Sequence, residues 1–267
     1  NDCLNLSDMP TTRLRSRKEL LNLARDHILA AQQEKEMKAW EGVQPIIIAE
    51  MFHSKPTSDH GKVAGKIAFL TCAWNNRLFG FDRENHIVSP NSYFTADVSI
   101  RPLDLPPSPA GLKLNSDGGA YPTIVVEVGK SEFLSSLHSL STYYFSPRTN
   151  IQICLTIKLF PICQDGTMAM PALRYLRTNQ NQTVPDVVIS FGTAPLNRSA
   201  INFLLNNMGV PSVDITGIGF AATICNAPSI PNYQLHIPAV ELFNGSPSGV
   251  PAKAINSSIW IYRNCKI

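Results

Sequence analysis

Residues 121–160 carry the alternation that most restricts how this chain can fold: an apolar run, a helical stretch, then a second apolar run. Ile124-Val-Val-Glu-Val has the β-branched composition of a buried strand, and Pro122 and the preceding Asp117-Gly-Gly-Ala mark the turn that leads into it. From Glu132 to Tyr144 the spacing becomes helical, with Phe133, Leu137, Leu140 and Tyr144 on one face and Ser146-Pro147 as the stop. Ile151–Phe160 then reads as a strand. Strand, helix, strand in that order suggests a parallel crossover, which places the unit in the α/β class.

The flanking sequence extends this pattern. Leu20, Leu23, Ala24, His27, Ile28 and Ala31 recur at helical spacing and predict a helix over 16–40, with a short extended segment at 44–49. A second helix is expected from Ser58 through Leu78, with Val63, Ile67, Leu70, Trp74 and Leu78 as its stripe, Asp59 as cap and Gly80 as stop. Between Phe81 and Pro102 the text changes to short β-like runs broken at Asn85 and Ser89-Pro-Asn, and a proline-rich loop follows at 105–111. Further β-like runs are expected at 168–176, 185–192 and 233–242, with a weak helix near 200–208. No composition shift marks a boundary. The expectation is one domain over 1–267: an N-terminal helical arm at 1–54, a core at 55–245 and a β-rich C-terminal elaboration.

Composition limits the function classes only loosely. A hydrophobic content of 44% against 16% charged residues suffices for a core, and a net charge of +3 is too small to argue nucleic-acid binding alone. Arg13, Arg15, Arg17 and Lys18 form a basic cluster that is either solvated surface or a set of phosphate contacts. The six cysteines (Cys3, Cys72, Cys154, Cys163, Cys225, Cys265) include no Cys-x-x-Cys pair, so a zinc site is not expected. Their even number, with glycosylation-type sequons at Asn181, Asn197 and Asn256, leaves open a secreted, disulfide-bonded β-rich protein. No apolar run reaches membrane-spanning length, and a soluble protein of the cytoplasm or nucleus is the expectation.

Two carboxylates draw attention. Asp97 lies in Thr95-Ala-Asp-Val-Ser-Ile100, and Glu127 ends the apolar run of its own strand. Burying either charge without a partner is costly. Delivered by neighbouring strands with Lys130 close by, the pair suits a hard divalent cation and a scissile phosphate. Singly, each has a plainer reading: Asp97 as a turn aspartate, Glu127 as a surface glutamate, Lys130 as a solvated lysine. Glu132 would add an outer oxygen ligand or favour the following helix N-terminus. His60 and His138 are candidate phosphate- or water-positioning groups, and Lys158 on the next strand is a displaced positive charge. Asp117 is explained by turn chemistry and Asp104 by its loop. No nucleophile elbow, P-loop or dinucleotide fingerprint occurs.

The order of these segments resembles the PD-(D/E)XK nuclease superfamily, in particular its restriction-endonuclease branch. The resemblance rests on Ala96-Asp97-Val98-Ser99, on Val125-Val126-Glu127-Val128, on the helix from Leu137 to Tyr143-Tyr144, on Ile153-Cys-Leu-Thr-Ile157 and on Leu235–Phe243. It covers roughly residues 55–245 and implies a restriction-endonuclease-like core, a central mixed sheet flanked by helices. It further implies a hydrolase: a metal-dependent endonuclease acting on DNA. Asp97 and Glu127 would be the ligands of Mg2+ (or Mn2+), and Lys130 the catalytic cation. Two positions depart from the family. Gly129 stands where its lysine follows the acidic residue by two, and Ala96 replaces its usual proline. In an unbroken strand Lys130 would leave the face opposite to Glu127, unless a bulge or a strand ending at Gly129 returns it. A catalytically inactive nucleic-acid-binding or interaction protein with the same fold is therefore the alternative. Homo-oligomers are compatible with either.

Overall fold

The computed structural model describes residues 92–108, 119–220, 231–255 and 259–262 continuously, together with Ile46, Ile47 and a subset of positions between 61 and 89. The chain divides into two compact units, 1–37 and 38–267, and all that follows concerns the second. The helix expected over 16–40, the basic cluster at 13–18, His60, Asp117 and the Asn256 sequon lie outside the described residues.

Seven strands form the central sheet: β1 (Leu78–Phe79), β2 (Val98–Pro102), β3 (Ile124–Gly129), β4 (Ile153–Lys158), β5 (Pro171–Leu176), β6 (Val187–Ser190) and β7 (Ile215–Gly217). Their order across the sheet is their order in the chain. The sheet is mixed. β3–β4 and β6–β7 pair in parallel, and the other neighbours pair antiparallel. The parallel pairing of β3 with β4 is the crossover that residues 121–160 predict, with helix α1 (Leu134–Tyr144) between them.

Each strand of the crossover has the composition its position demands. β4 is buried along its whole length, as expected where a strand is covered on both faces, and β3 is buried except at Glu127. Alternation sorts their side chains into two layers. Val126, Val128, Leu155 and Ile157 join one cluster with Val63, Ala64, Ile67, Leu235 and Leu242. Val125 and Cys154 join the other, with Leu134 and Tyr144 of α1 and Ala200 and Leu204 of the β6–β7 connection. The sheet is thus flanked on both faces, an α/β architecture.

Helix α1 buries Leu134, Leu137, Ser141 and Tyr144, a 3–4–3 spacing along one stripe. Phe133, expected on that stripe, is instead the extended residue before the helix and is 78% exposed. Serine-rich and without a side-chain cap, α1 draws its stability from this packing rather than from propensity. The expected helix over 58–78 is corrected in its last part. Described positions from 61 to 71 are helical, but Leu78 and Phe79 form an edge strand opposite Pro102 and Arg101. Pairing with β2 overrides the helical periodicity there.

The weak helix near 200–208 is a short α-turn, Arg198–Asn202, continued by a π-helical turn at Phe203–Asn207. Asn197 caps it, its Oδ1 accepting the Ala200 N–H at 2.8 Å. The run expected as strand over 233–242 splits. Leu235–Ile237 is a strand, and Pro238, lacking the N–H a strand would offer, precedes the helix Ala239–Leu242. This strand pairs with Ile259–Tyr262, which also pairs with Ile46–Ile47, in a separate three-stranded sheet. Of the cysteines, Cys154 is a buried free thiol and Cys163 an exposed one; the other four lie outside the described residues. Among the described residues no helix is long and apolar enough to cross a membrane.

Asp104 fastens the turn after β2 to the C-terminal segment. It pairs with Arg77 at 3.1 Å and accepts hydrogen bonds from Ser246 Oγ and from the Ser248 backbone N–H. Hydrogen bonds from Ser248 and Ser246, with Arg77 beside them, hold its pKa at about 2, below the ordinary 3.8. A carboxyl depressed by folding stabilises the native state above its unfolded pKa, and that stability fades as pH falls from about 4 towards 2. Asp104→Asn is expected to remove about 1 kcal/mol of the stability difference between pH 5 and pH 2.5 in urea titrations. An unchanged difference would mean that Asp104 carries none of the acid sensitivity.

Candidate functional site

The two carboxylates are delivered by the β2–β3 pair. Val98 stands opposite Val126 and Ser99 opposite Val125, so Asp97 and Glu127 each lie one residue beyond the last pair of the antiparallel register. Val126 faces one core layer, so Glu127 faces the other, beneath α1; Asp97 is the bend residue just before β2, and its charge, like that of Glu127, acts on Tyr144. Both are half-buried.

One oxygen of each carboxylate is oriented by a protein donor. Asp97 Oδ2 accepts the backbone N–H of Val128 at 2.8 Å, which ties the approach to β2 onto the end of β3. Glu127 Oε1 accepts the hydroxyl of Tyr144 from the last turn of α1. That phenol is fully buried, and its pKa is pushed far up, first by burial and then by the charge of Glu127; Asp97 contributes in the same direction. Both effects favour the neutral phenol that donates to Glu127. Burial and the charge of Glu127 likewise raise the Cys154 thiol well above its ordinary value, leaving it unreactive.

The cations are arranged less simply. β3 ends at Gly129, so Lys130 lies beyond the strand and is not bound by its alternation; the residue is exposed. In the parallel register Gly129 stands opposite Lys158, two residues beyond Thr156, which itself stands opposite Glu127. Lys158 thus emerges on the same face as Glu127 from the neighbouring strand. It is 6% exposed, donates to the Lys130 carbonyl at 2.7 Å and lies 5.5 Å from the centre of the Phe160 ring. Burial lowers its pKa, and the charge of Glu132 acts the other way. Glu132 precedes the first turn of α1, which contains no acidic residue.

Gly129 has a steric reason. A Cβ at this position would fall 2.5 Å from Leu137 Cδ1, so α1 lies directly over the residue two places beyond Glu127. No side chain fits there unless Leu137 moves. Lys158, one strand over, is the nearest position from which the sheet itself offers a cation to this face.

Other candidates have partners of their own. Asp104 belongs to the Arg77–Ser246 cluster. His138, half-buried on α1, lies 3.0 Å from the Tyr175 hydroxyl, and burial lowers its pKa. The sequon asparagine Asn181 accepts from the Thr183 hydroxyl and N–H, closing a local turn. Among the described residues no group of three or more histidine, cysteine, aspartate or glutamate side chains is arranged to hold a metal. Asp97 and Glu127 supply two hard carboxylates, and a magnesium-sized ion keeps several waters and takes one or two protein carboxylates. Sequence reasoning missed the Tyr144–Glu127 hydrogen bond, though the tyrosine at the end of the helix was in view. No family model, curated protein or solved structure matches this chain.

Proposed function

We propose that this chain is a divalent-metal-dependent nuclease that hydrolyses phosphodiester bonds in DNA. Asp97 and Glu127 are its metal-binding carboxylates and Lys130 its catalytic cation. The observation that carries this reading is the delivery of Asp97 and Glu127 to the same end of the β2–β3 pair, each with an oxygen already oriented by Val128 or Tyr144. Further support comes from the order helical segment, three antiparallel strands, crossover helix, parallel strand, which is the order the restriction-endonuclease resemblance implies. Both carboxylates also lie at the C-terminal end of β3, the end of a parallel pair where open α/β sheets commonly place ligands.

A bound Mg2+ or Mn2+ would supply Lewis-acid stabilisation of charge on the phosphate. The protein's own part is positional. Tyr144 fixes the Glu127 carboxylate, the Val128 N–H fixes Asp97, and Lys130 or the neighbouring Lys158 places positive charge near the phosphoryl oxygens. On this reading the protein works where DNA is found, in the cytoplasm or the nucleus. The test is calorimetric titration with Mn2+, alongside magnesium-dependent nicking of supercoiled plasmid. Asp97→Asn is expected to weaken metal binding by about 10- to 100-fold, a loss of the size seen when the surroundings of a metal site are disturbed. Equal affinity in the variant removes Asp97 as a ligand.

A second reading has its own observation. With Leu137 closing the space at Gly129, the position two beyond Glu127 carries no lysine, as expected of a chain that keeps the fold and has lost catalysis. That chain would bind nucleic acid in a salt-sensitive manner without magnesium-stimulated cutting.

A further inference from the structure

We propose that the exposed ring of Tyr143, stacked on Phe94, is a platform for an unpaired nucleobase beside the Asp97–Glu127 carboxylates. The proposal rests on the nuclease reading and narrows its substrate to single-stranded nucleic acid. Tyr143 is 48% exposed, yet its ring is already held, lying 5.1 Å from Phe94 with 27° between the planes. Phe94 in turn packs against Tyr144, with ring centres 6.0 Å apart, and the Tyr144 hydroxyl holds Glu127. Three aromatic rings therefore lead from solvent to the carboxylate pair.

The chain explains why they converge. Phe94 ends the strand Ser92–Phe94 three residues before Asp97, and Tyr143 precedes Tyr144 in the last turn of α1. The segments that present the platform are the one that leads to Asp97 and the one whose Tyr144 holds Glu127. A ring immobilised in advance loses little conformational freedom when a base lies on it. Every nucleobase has a π-face, so such a surface is indifferent to sequence but selective for strands whose bases are not already stacked in a duplex.

The test is fluorescence anisotropy of the full chain with a labelled 12-nucleotide oligothymidylate and with a duplex of equal length, both in EDTA so that nothing is cut. Wild type is expected to bind the single strand more tightly than the duplex. Tyr143→Ala should weaken single-strand binding by about 5- to 100-fold, the loss of one base stack, and leave duplex binding unchanged. Tyr143→Phe, which keeps the ring, should stay within about twofold of wild type. Circular dichroism confirms that each variant is folded. Unchanged affinity in Tyr143→Ala, equal losses on both substrates, or no single-strand binding by wild type would each overturn the proposal. Magnesium-dependent cleavage of the same oligonucleotide separates the two claims. Tyr143-dependent binding without cleavage keeps the platform and removes the nuclease. Cleavage at limiting substrate that ignores Tyr143 removes the platform and keeps the nuclease.

Discussion

Glu127→Gln is expected to reduce magnesium-dependent cleavage on the order of 1000-fold while leaving the fold intact. The amide keeps an oxygen that accepts the Tyr144 hydroxyl, so the contact between β3 and the last turn of α1 survives. What disappears is the negative charge that would hold a divalent ion. A metal acting as Lewis acid stabilises the transition state by several kcal/mol, and each 1.36 kcal/mol is a factor of ten in rate. Plasmid nicking under saturating Mg2+, with a thermal melt to confirm folding, measures the effect. A loss below about tenfold in a folded variant would take Glu127 out of the mechanism, because even disturbing the partners of a metal ligand costs about 10- to 100-fold. Glu127→Gln also separates the two functional readings. In an inactive scaffold the substitution changes neither cleavage nor nucleic-acid binding.

The second large effect concerns stability. Arg177, just beyond β5, gathers the loop between α1 and β4. Its Nε donates to the Ile151 carbonyl at 2.6 Å, Nη1 to the Phe145 carbonyl at 3.2 Å, and Nη2 to Thr149 Oγ1 at 2.6 Å and the Tyr144 carbonyl at 3.3 Å. Its guanidinium also lies 5.4 Å from the centre of the Phe145 ring. Burial lowers its pKa, but an arginine stays charged, so the loop carbonyls are its counterweight. Arg177→Ala removes the donor to the Ile151 and Phe145 carbonyls, while Thr149 Oγ1 still donates to the Tyr144 carbonyl, and is expected to cost about 3 kcal/mol, since each buried group left unsatisfied costs about 1–3 kcal/mol. For a chain of this size that is a fall in melting temperature of roughly 6–12 °C. Arg177→Lys should recover less than half, because one ammonium cannot span acceptors spread along the loop. A fall below about 2 °C in Arg177→Ala would mean that the loop holds itself.

Several features were legible in the residues alone. The apolar runs of β3 and β4 and the helical stripe between them announce the parallel crossover, since burial imposes a period of two on strands and 3.6 on helices. Short β-like runs with turn residues place the hairpin His86–Ser89/Ser92–Phe94 and β2 within 81–102. The two carboxylates stand out as charges in apolar company. Where the reading failed, a distant partner decided the outcome. Leu78 fits a helical stripe but pairs with Pro102, and Phe133 fits the stripe of α1 but stays outside the helix.

The α/β class and the crossover follow from local periodicity, and the cost of burying charge singles out Asp97 and Glu127 as candidates. The packing between distant segments brings Asp97 and Glu127 to one end of the β2–β3 pair, has Tyr144 hold one carboxylate and Val128 the other, and sets Gly129 under Leu137 with Lys158 alongside. The reason is physical. Register between strands and the seat of a helix on a sheet are set by contacts between residues far apart in the chain, and no local pattern of residue types encodes those distances.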